Sequence, residues 1–181
     1  MPLIVTTKSY DKKFFQENER IYLGDWCFKK INKDKKLYSM QYHWDDRSKL
    51  LKDTKYLDAI YEEFLLSLSE KLNQIHNKKF SLKFWRIFVG PWLRQFIEVF
   101  FDRYSNIMNI NNISNDIKLK YYYLEINEEF FIPINCLEAF NNYNSNNWNE
   151  YIYNLLIKLI KFDNLNILKS PILFDNYTDK K

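Results

Sequence analysis

The densest run of side chains able to do chemistry is Tyr42-His43-Trp44-Asp45-Asp46-Arg47. An imidazole titrates near neutrality, and a nearby carboxylate can hold it in one tautomer. His43 is therefore a candidate general base or phosphate-contacting residue. An apolar pattern of helical spacing begins just after this run, which puts it at a helix N-terminus, where free N–H groups and the helix dipole favour anions. The same residues also read as structure: Asp45 or Asp46 caps the helix, Arg47 pairs with them, and His43 is a hydrogen-bonded core residue. A metal site on His43, Asp45 and Asp46 lacks a second group of ligands, because the other histidine, His76, lies a whole helix away.

A second candidate is Trp85-Arg86-Ile87-Phe88-Val89-Gly90-Pro91-Trp92-Leu93-Arg94. Arg86, Gly90, Arg94, Glu98 and Asp102 recur every four residues, so one face of an apolar helix carries charge and a gap. Pro91 has no N–H to offer the carbonyl of Ile87, which predicts a kink, and Gly90 leaves room for close approach. Arg86 and Arg94 on either side of that gap could grip a phosphate or carboxylate. The alternative is an internal ladder in which Arg94 pairs with Glu98, and Asp102 with Arg103 or a neighbouring element. Asp25, in Gly24-Asp25-Trp26-Cys27, stands at the end of an expected strand, where open α/β sheets present ligand-binding residues. It reads as a sugar ligand or as the cap of a turn.

The elements that must position these residues follow from hydrophobic spacing. Leu3 to Thr6 and Arg20 to Cys27 read as buried strands on either side of the polar stretch Lys8 to Glu19. A basic loop through Asn32 to Lys36 leads to a third strand or extended approach over Leu37 to Tyr42. Leu50, Leu57, Ile60, Tyr61, Phe64, Leu65, Leu68, Leu72 and Ile75 mark a helix of about eight turns, capped by Asp45 or Asp46. Ser81 caps a second helix, expected to be central and buried and to run to about Tyr104. The Asn-rich stretch Asn106 to Asn115 reads as a loop. Leu119 to Ile126 and Phe130 to Ile134 read as a hairpin or as a strand and its continuation, and Trp148 to Phe162 as a helix. The expected organisation is one α/β domain over residues 1–168, followed by a loose tail over 169–181.

Composition narrows the function classes. The chain has 181 residues, 46% of them hydrophobic and 19% aromatic, enough to bury a core without staples. With only two glycines, Gly24 and Gly90, a dinucleotide-type glycine loop and a P-loop are both excluded. Cys27 and Cys136 have no metal or disulfide spacing and read as small buried hydrophobes in a reducing, cytoplasmic setting. Phe84 to Phe101 is the longest apolar stretch, and Arg86, Arg94, Gln95 and Glu98 interrupt it too often for a membrane span. The formal charge of +4 is spread along the chain, with lysine-rich patches at Lys29 to Lys36 and Lys78-Lys79. Such patches are usually solvated surface and carry at most a preference for phosphates or anionic lipid head groups.

Leu3-Ile4-Val5-Thr6-Thr7, Leu23-Gly24-Asp25-Trp26-Cys27, Tyr42-His43-Trp44-Asp45-Asp46-Arg47, and Ser81 to Arg103 with its Trp-Arg-Ile-x-Val-Gly-Pro-Trp-Leu core occur in that order. In this the sequence resembles a family of transferases encoded in O-antigen and related surface-polysaccharide (lipopolysaccharide) loci. The resemblance is good to about Ile107 and fades beyond it. It implies a B-type glycosyltransferase, of which this chain would be an incomplete Rossmann-like N-terminal domain with two long central helices. It further implies an acceptor-side role, with a nucleotide-activated sugar and a glycan or lipid-linked acceptor as ligands of the complete enzyme. A separate C-terminal half would be a partner, and the chain would be inactive alone. On the matching motifs, His43 and Asp45 would be catalytic, and Asp25, Arg86, Gly90 and Arg94 would bind substrate. Neither a metal nor a cofactor is implied, nor is nucleic acid. The expected setting is the cytoplasm, with at most peripheral association with the inner face of the membrane. The runner-up is a non-catalytic binding or assembly module.

Overall fold

The computed structural model describes residues 1–7, 19–27, 38–125 and 133–170. Most of Lys8 to Glu19, all of Asn32 to Lys36, Phe130 to Ile132 and the tail beyond Ser170 lie outside the described residues. Five strands, β1 (Leu3–Val5), β2 (Arg20–Tyr22), β3 (Tyr38–Ser39), β4 (Leu119–Tyr123) and β5 (Leu165–Lys169), form one sheet in the order β3-β2-β1-β4-β5. Every pairing is parallel. The central strand is the uniformly apolar Leu-Ile-Val of β1, with every residue buried, as expected of a parallel strand covered on both faces. After β3 the chain returns to the other side of β1, so the strand order reverses between β1 and β4, as in Rossmann-like sheets.

Within the span expected as one domain, the chain packs as two compact units: residues 1–42 with 103–181, and residues 43–102. The second unit is helical. Its first helix, α1 (Arg47–Ile75), is capped by Asp46, whose carboxylate accepts from the backbone N–H groups of Ser48 and Lys49. The next, α2 (Leu82–Phe88), is capped by Ser81. The expected kink at Gly90-Pro91 is a break between α2 and α3 (Gly90–Ser114), with Val89 between them. Leu57 and Leu65 of α1 form a core with Leu93 and Ile97 of α3. The second helix is less buried than expected, since Ile87 and Phe88 are 70% and 72% exposed.

Three further expectations need correction. The Asn-rich stretch is helix through Ser114, because Ile107 and Ile110 give it a buried apolar face that overrides the weak helix propensity of asparagine. The hairpin reading fails at β4, since both its edges are taken by the parallel neighbours β1 and β5. Cys136 is exposed at the start of α4 (Cys136–Tyr143), whereas Cys27 is buried with its thiol directed at the carbonyls of Val5 and Thr6. The expected last helix is α5 (Asn146–Leu159), with Trp148, Ile152 and Leu156 buried. No helix among the described residues is long and apolar enough to cross a membrane.

Candidate functional site

In the sheet unit, chemistry concentrates at the carboxyl ends of the strands. Thr6 and Thr7, directly after β1, are buried and donate their hydroxyls to one Glu150 oxygen of α5 at 2.7 and 2.8 Å. The Tyr121 hydroxyl of β4 lies 2.8 Å from the other Glu150 oxygen and also contacts Asn154, whose amide donates to the carbonyl of Leu124. A buried carboxylate is costly without such donors, and three hydroxyls supply them here. The network pins β1, β4 and α5 together where the strand order reverses. Sequence reasoning missed it; the available signal was Glu150 and Asn154, four residues apart beside the apolar positions Ile152, Tyr153, Leu156 and Ile157.

Asp25 is exposed on a single 3-10 turn (Asp25–Cys27) following β2 and accepts from the Ser39 hydroxyl at 3.2 Å. Its neighbour Trp26 donates its indole N–H to the carbonyl of Thr6. A Cβ at position 24 would stand 2.1 Å from the Trp26 ring, so glycine lets the indole lie against the backbone there.

In the helical unit, the His43 side chain is 1% exposed and its Nε2 lies 3.5 Å from Oδ1 of Asp102 on α3. Its ring packs on Trp44, with centroids 4.8 Å apart. The Trp44 indole in turn donates to Asp53, which also pairs with Lys49 at 2.5 Å. Burial pushes the Asp53 carboxyl up, but the hydrogen bonds from Lys49 and Trp44, the Lys49 charge and His43 together hold it below its ordinary value. The carboxylate facing the imidazole is thus that of Asp102. Asp45 is exposed, and Asp46 is occupied as the helix cap.

Arg86, Gly90 and Arg94 do come together, around Tyr61 of α1. Both guanidinium carbons lie just under 6 Å from the Tyr61 ring centroid, at 5.8 and 5.9 Å. A Cβ on Gly90 would stand 2.5 Å from the Tyr61 hydroxyl, so glycine makes room for the seam. Arg86 grips Glu62 in bidentate fashion at 2.5 and 2.6 Å, which holds the Glu62 carboxyl below its usual range and raises the guanidinium. Arg94 pairs with Glu98 at 2.5 Å and with Asp58, and is raised chiefly by the Glu98 hydrogen bond. The Arg94–Glu98 pair is the internal ladder weighed above. An incoming anion would have to displace these carboxylates.

A parallel sheet in this order, with α-helices between β3 and β4 and between β4 and β5, defines a mixed α/β protein and is consistent with a Rossmann-like architecture. Residues 2–181 match the family model of the LIC12162 family transferase, and the chain belongs to that family of transferases. No curated protein and no solved structure matches it.

Proposed function

We propose that the chain is the acceptor-side part of a glycosyltransferase that builds bacterial surface polysaccharide of the O-antigen type, at the inner face of the cytoplasmic membrane. The observation that carries this reading is the reversal of strand order between β1 and β4, since open α/β sheets take their ligands outside the carboxyl ends of the strands at such a point. Asp25, exposed beyond the carboxyl end of the neighbouring β2, is assigned to a sugar hydroxyl. The B-type architecture uses two Rossmann-like halves, and the described residues form one such sheet. This supports a role completed by a second half that holds the nucleotide-activated donor.

Sugar transfer needs a base for the acceptor hydroxyl and positive charge for the leaving diphosphate. His43 is assigned as the base and Asp102 as the positioning carboxylate that faces its ring, with Asp45 kept as a sugar ligand. Arg86 and Arg94, beside Gly90, are the anion-binding candidates. In the complete enzyme, His43→Gln, which keeps most of the buried volume and a polar group facing Asp102, should abolish transfer while the melting temperature stays within a few degrees. Loss of stability in proportion to loss of activity would instead favour the second reading, a non-catalytic assembly module. The near-complete burial of His43 and the pairing of both arginines with carboxylates support that second reading.

A further inference from the structure

From Lys71 to Ile97 the chain contains no acidic residue. This stretch covers the end of α1, the turn after it, α2 and the first part of α3. Arg86 and Arg94 are neutralised by Glu62, Asp58 and Glu98. The uncompensated charge therefore comes from Lys71, Lys78, Lys79 and Lys83, all exposed and none in an ion pair with a described residue.

Among these lysines lies an apolar surface. Ile75 is 74% exposed, and Ile87 and Phe88 are nearly as open. Phe80, Phe84 and Phe88 stack in a ladder, with ring centroids 4.2 and 5.4 Å apart. The inward side of α2 is already satisfied, since Trp85 is buried and donates its indole N–H to Asn73. The turn is held by the same Asn73, whose amide donates to the carbonyl of Phe80 and whose oxygen accepts from the Phe80 N–H. The aromatic ladder is thus presented on a braced turn, with Phe80 and Phe84 edge-on to Trp85 and with Ile87 and Phe88 left open.

We propose that this hairpin tip, Ile75 to Phe88, is a docking surface for an anionic lipid bilayer. Aromatic and aliphatic side chains at the level of the head groups, rimmed by lysines whose stems lie along apolar surface while their ammonium groups reach lipid phosphates, are what interfacial binding requires. Charge complementarity selects the partner: Glu62 is taken up by Arg86, and Lys78, Lys79 and Lys83 leave the tip with a positive excess that repels a second copy of itself and attracts anionic head groups. The inference holds whether or not the chain transfers sugar.

The test is co-sedimentation of the full chain with vesicles of phosphatidylcholine alone and of phosphatidylcholine mixed with phosphatidylglycerol. Binding to the mixed vesicles is expected, with weak binding to the neutral ones and loss as salt is raised. Lys78→Ala, Lys79→Ala and Lys83→Ala together should lower partitioning by on the order of 100-fold. Ile87→Ser with Phe88→Ser should also abolish it, with an unchanged circular dichroism spectrum because both side chains are exposed. Equal binding to both vesicle types, or binding indifferent to either set of substitutions, overturns the proposal. So does sedimentation showing a dimer that Ile87→Ser with Phe88→Ser dissociates, in the absence of any anionic preference; that result would assign the tip to a second copy.

Discussion

Asp53 shows how a single carboxylate is tuned by its neighbours. It is buried, yet the Lys49 ammonium and the Trp44 indole both donate to it and hold its carboxyl below the ordinary value of 3.8. With the folded value depressed, the folded state binds fewer protons than the unfolded one between the two values, and stability rises with pH across that window. The contribution is complete above about pH 4 to 5 and is lost as pH falls through the folded value. The difference in melting temperature between the wild type and Asp53→Asn should therefore be largest near neutrality and shrink on acidification, as thermal denaturation at a series of pH values would show. A difference that grows in acid would contradict the arrangement. His43 illustrates a different limit on reading single residues. Its own segment supplies Asp45 and Asp46, but the carboxylate that faces it comes from Asp102, the last position of the four-residue charged stripe. The stripe is visible in the sequence; which element it meets is a matter of tertiary packing.

Two adjacent aspartates separate capping from mere proximity at the start of α1. Asp46 accepts two backbone N–H groups, so Asp46→Ala should cost about 1 kcal/mol. Asp45→Ala should stay within about 0.5 kcal/mol, the usual range for an exposed position. Chemical denaturation of the two variants checks the contrast, and equal losses would show that the cap has been misassigned. The start of this helix, its apolar spacing, the Ser81 cap and the break at Gly90-Pro91 are all legible in the sequence, because each rests on interactions within a few residues. The overrun of α3 to Ser114 is not, since asparagines read as loop until Ile107 and Ile110 find a core. Strand β5, a Leu-Asn-Ile-Leu-Lys segment, carries too short a pattern to stand out and is defined by its parallel pairing with β4. The order of the strands is likewise invisible in a linear reading, because parallel neighbours lie far apart in the chain.

Taken as a whole, the chain has one Rossmann-like sheet among its described residues, two glycines and no glycine-rich phosphate loop. Placing donor and acceptor together supplies much of the rate of a transfer reaction, and on the proposed acceptor-side reading the chain supplies one face of the cleft alone. Calorimetric titration of the chain with a panel of nucleotide sugars should give no tight binding, and the same mixtures should show no turnover. Micromolar affinity with measurable transfer would replace the acceptor-side reading with that of a self-sufficient transferase. The Glu150 network bears on how such a chain is made. Thr6 and Glu150 are separated by 144 positions, and the partner of β1 on its β4 side also arrives late, at Lys120. At a ribosomal pace of about 5–20 residues per second, roughly 7–30 s pass between the emergence of the two threonines and that of their carboxylate. For much of that interval an apolar Leu-Ile-Val strand has β2 beside it but neither β4 nor α5, so nascent chains should depend on chaperone cover until α5 has left the exit tunnel.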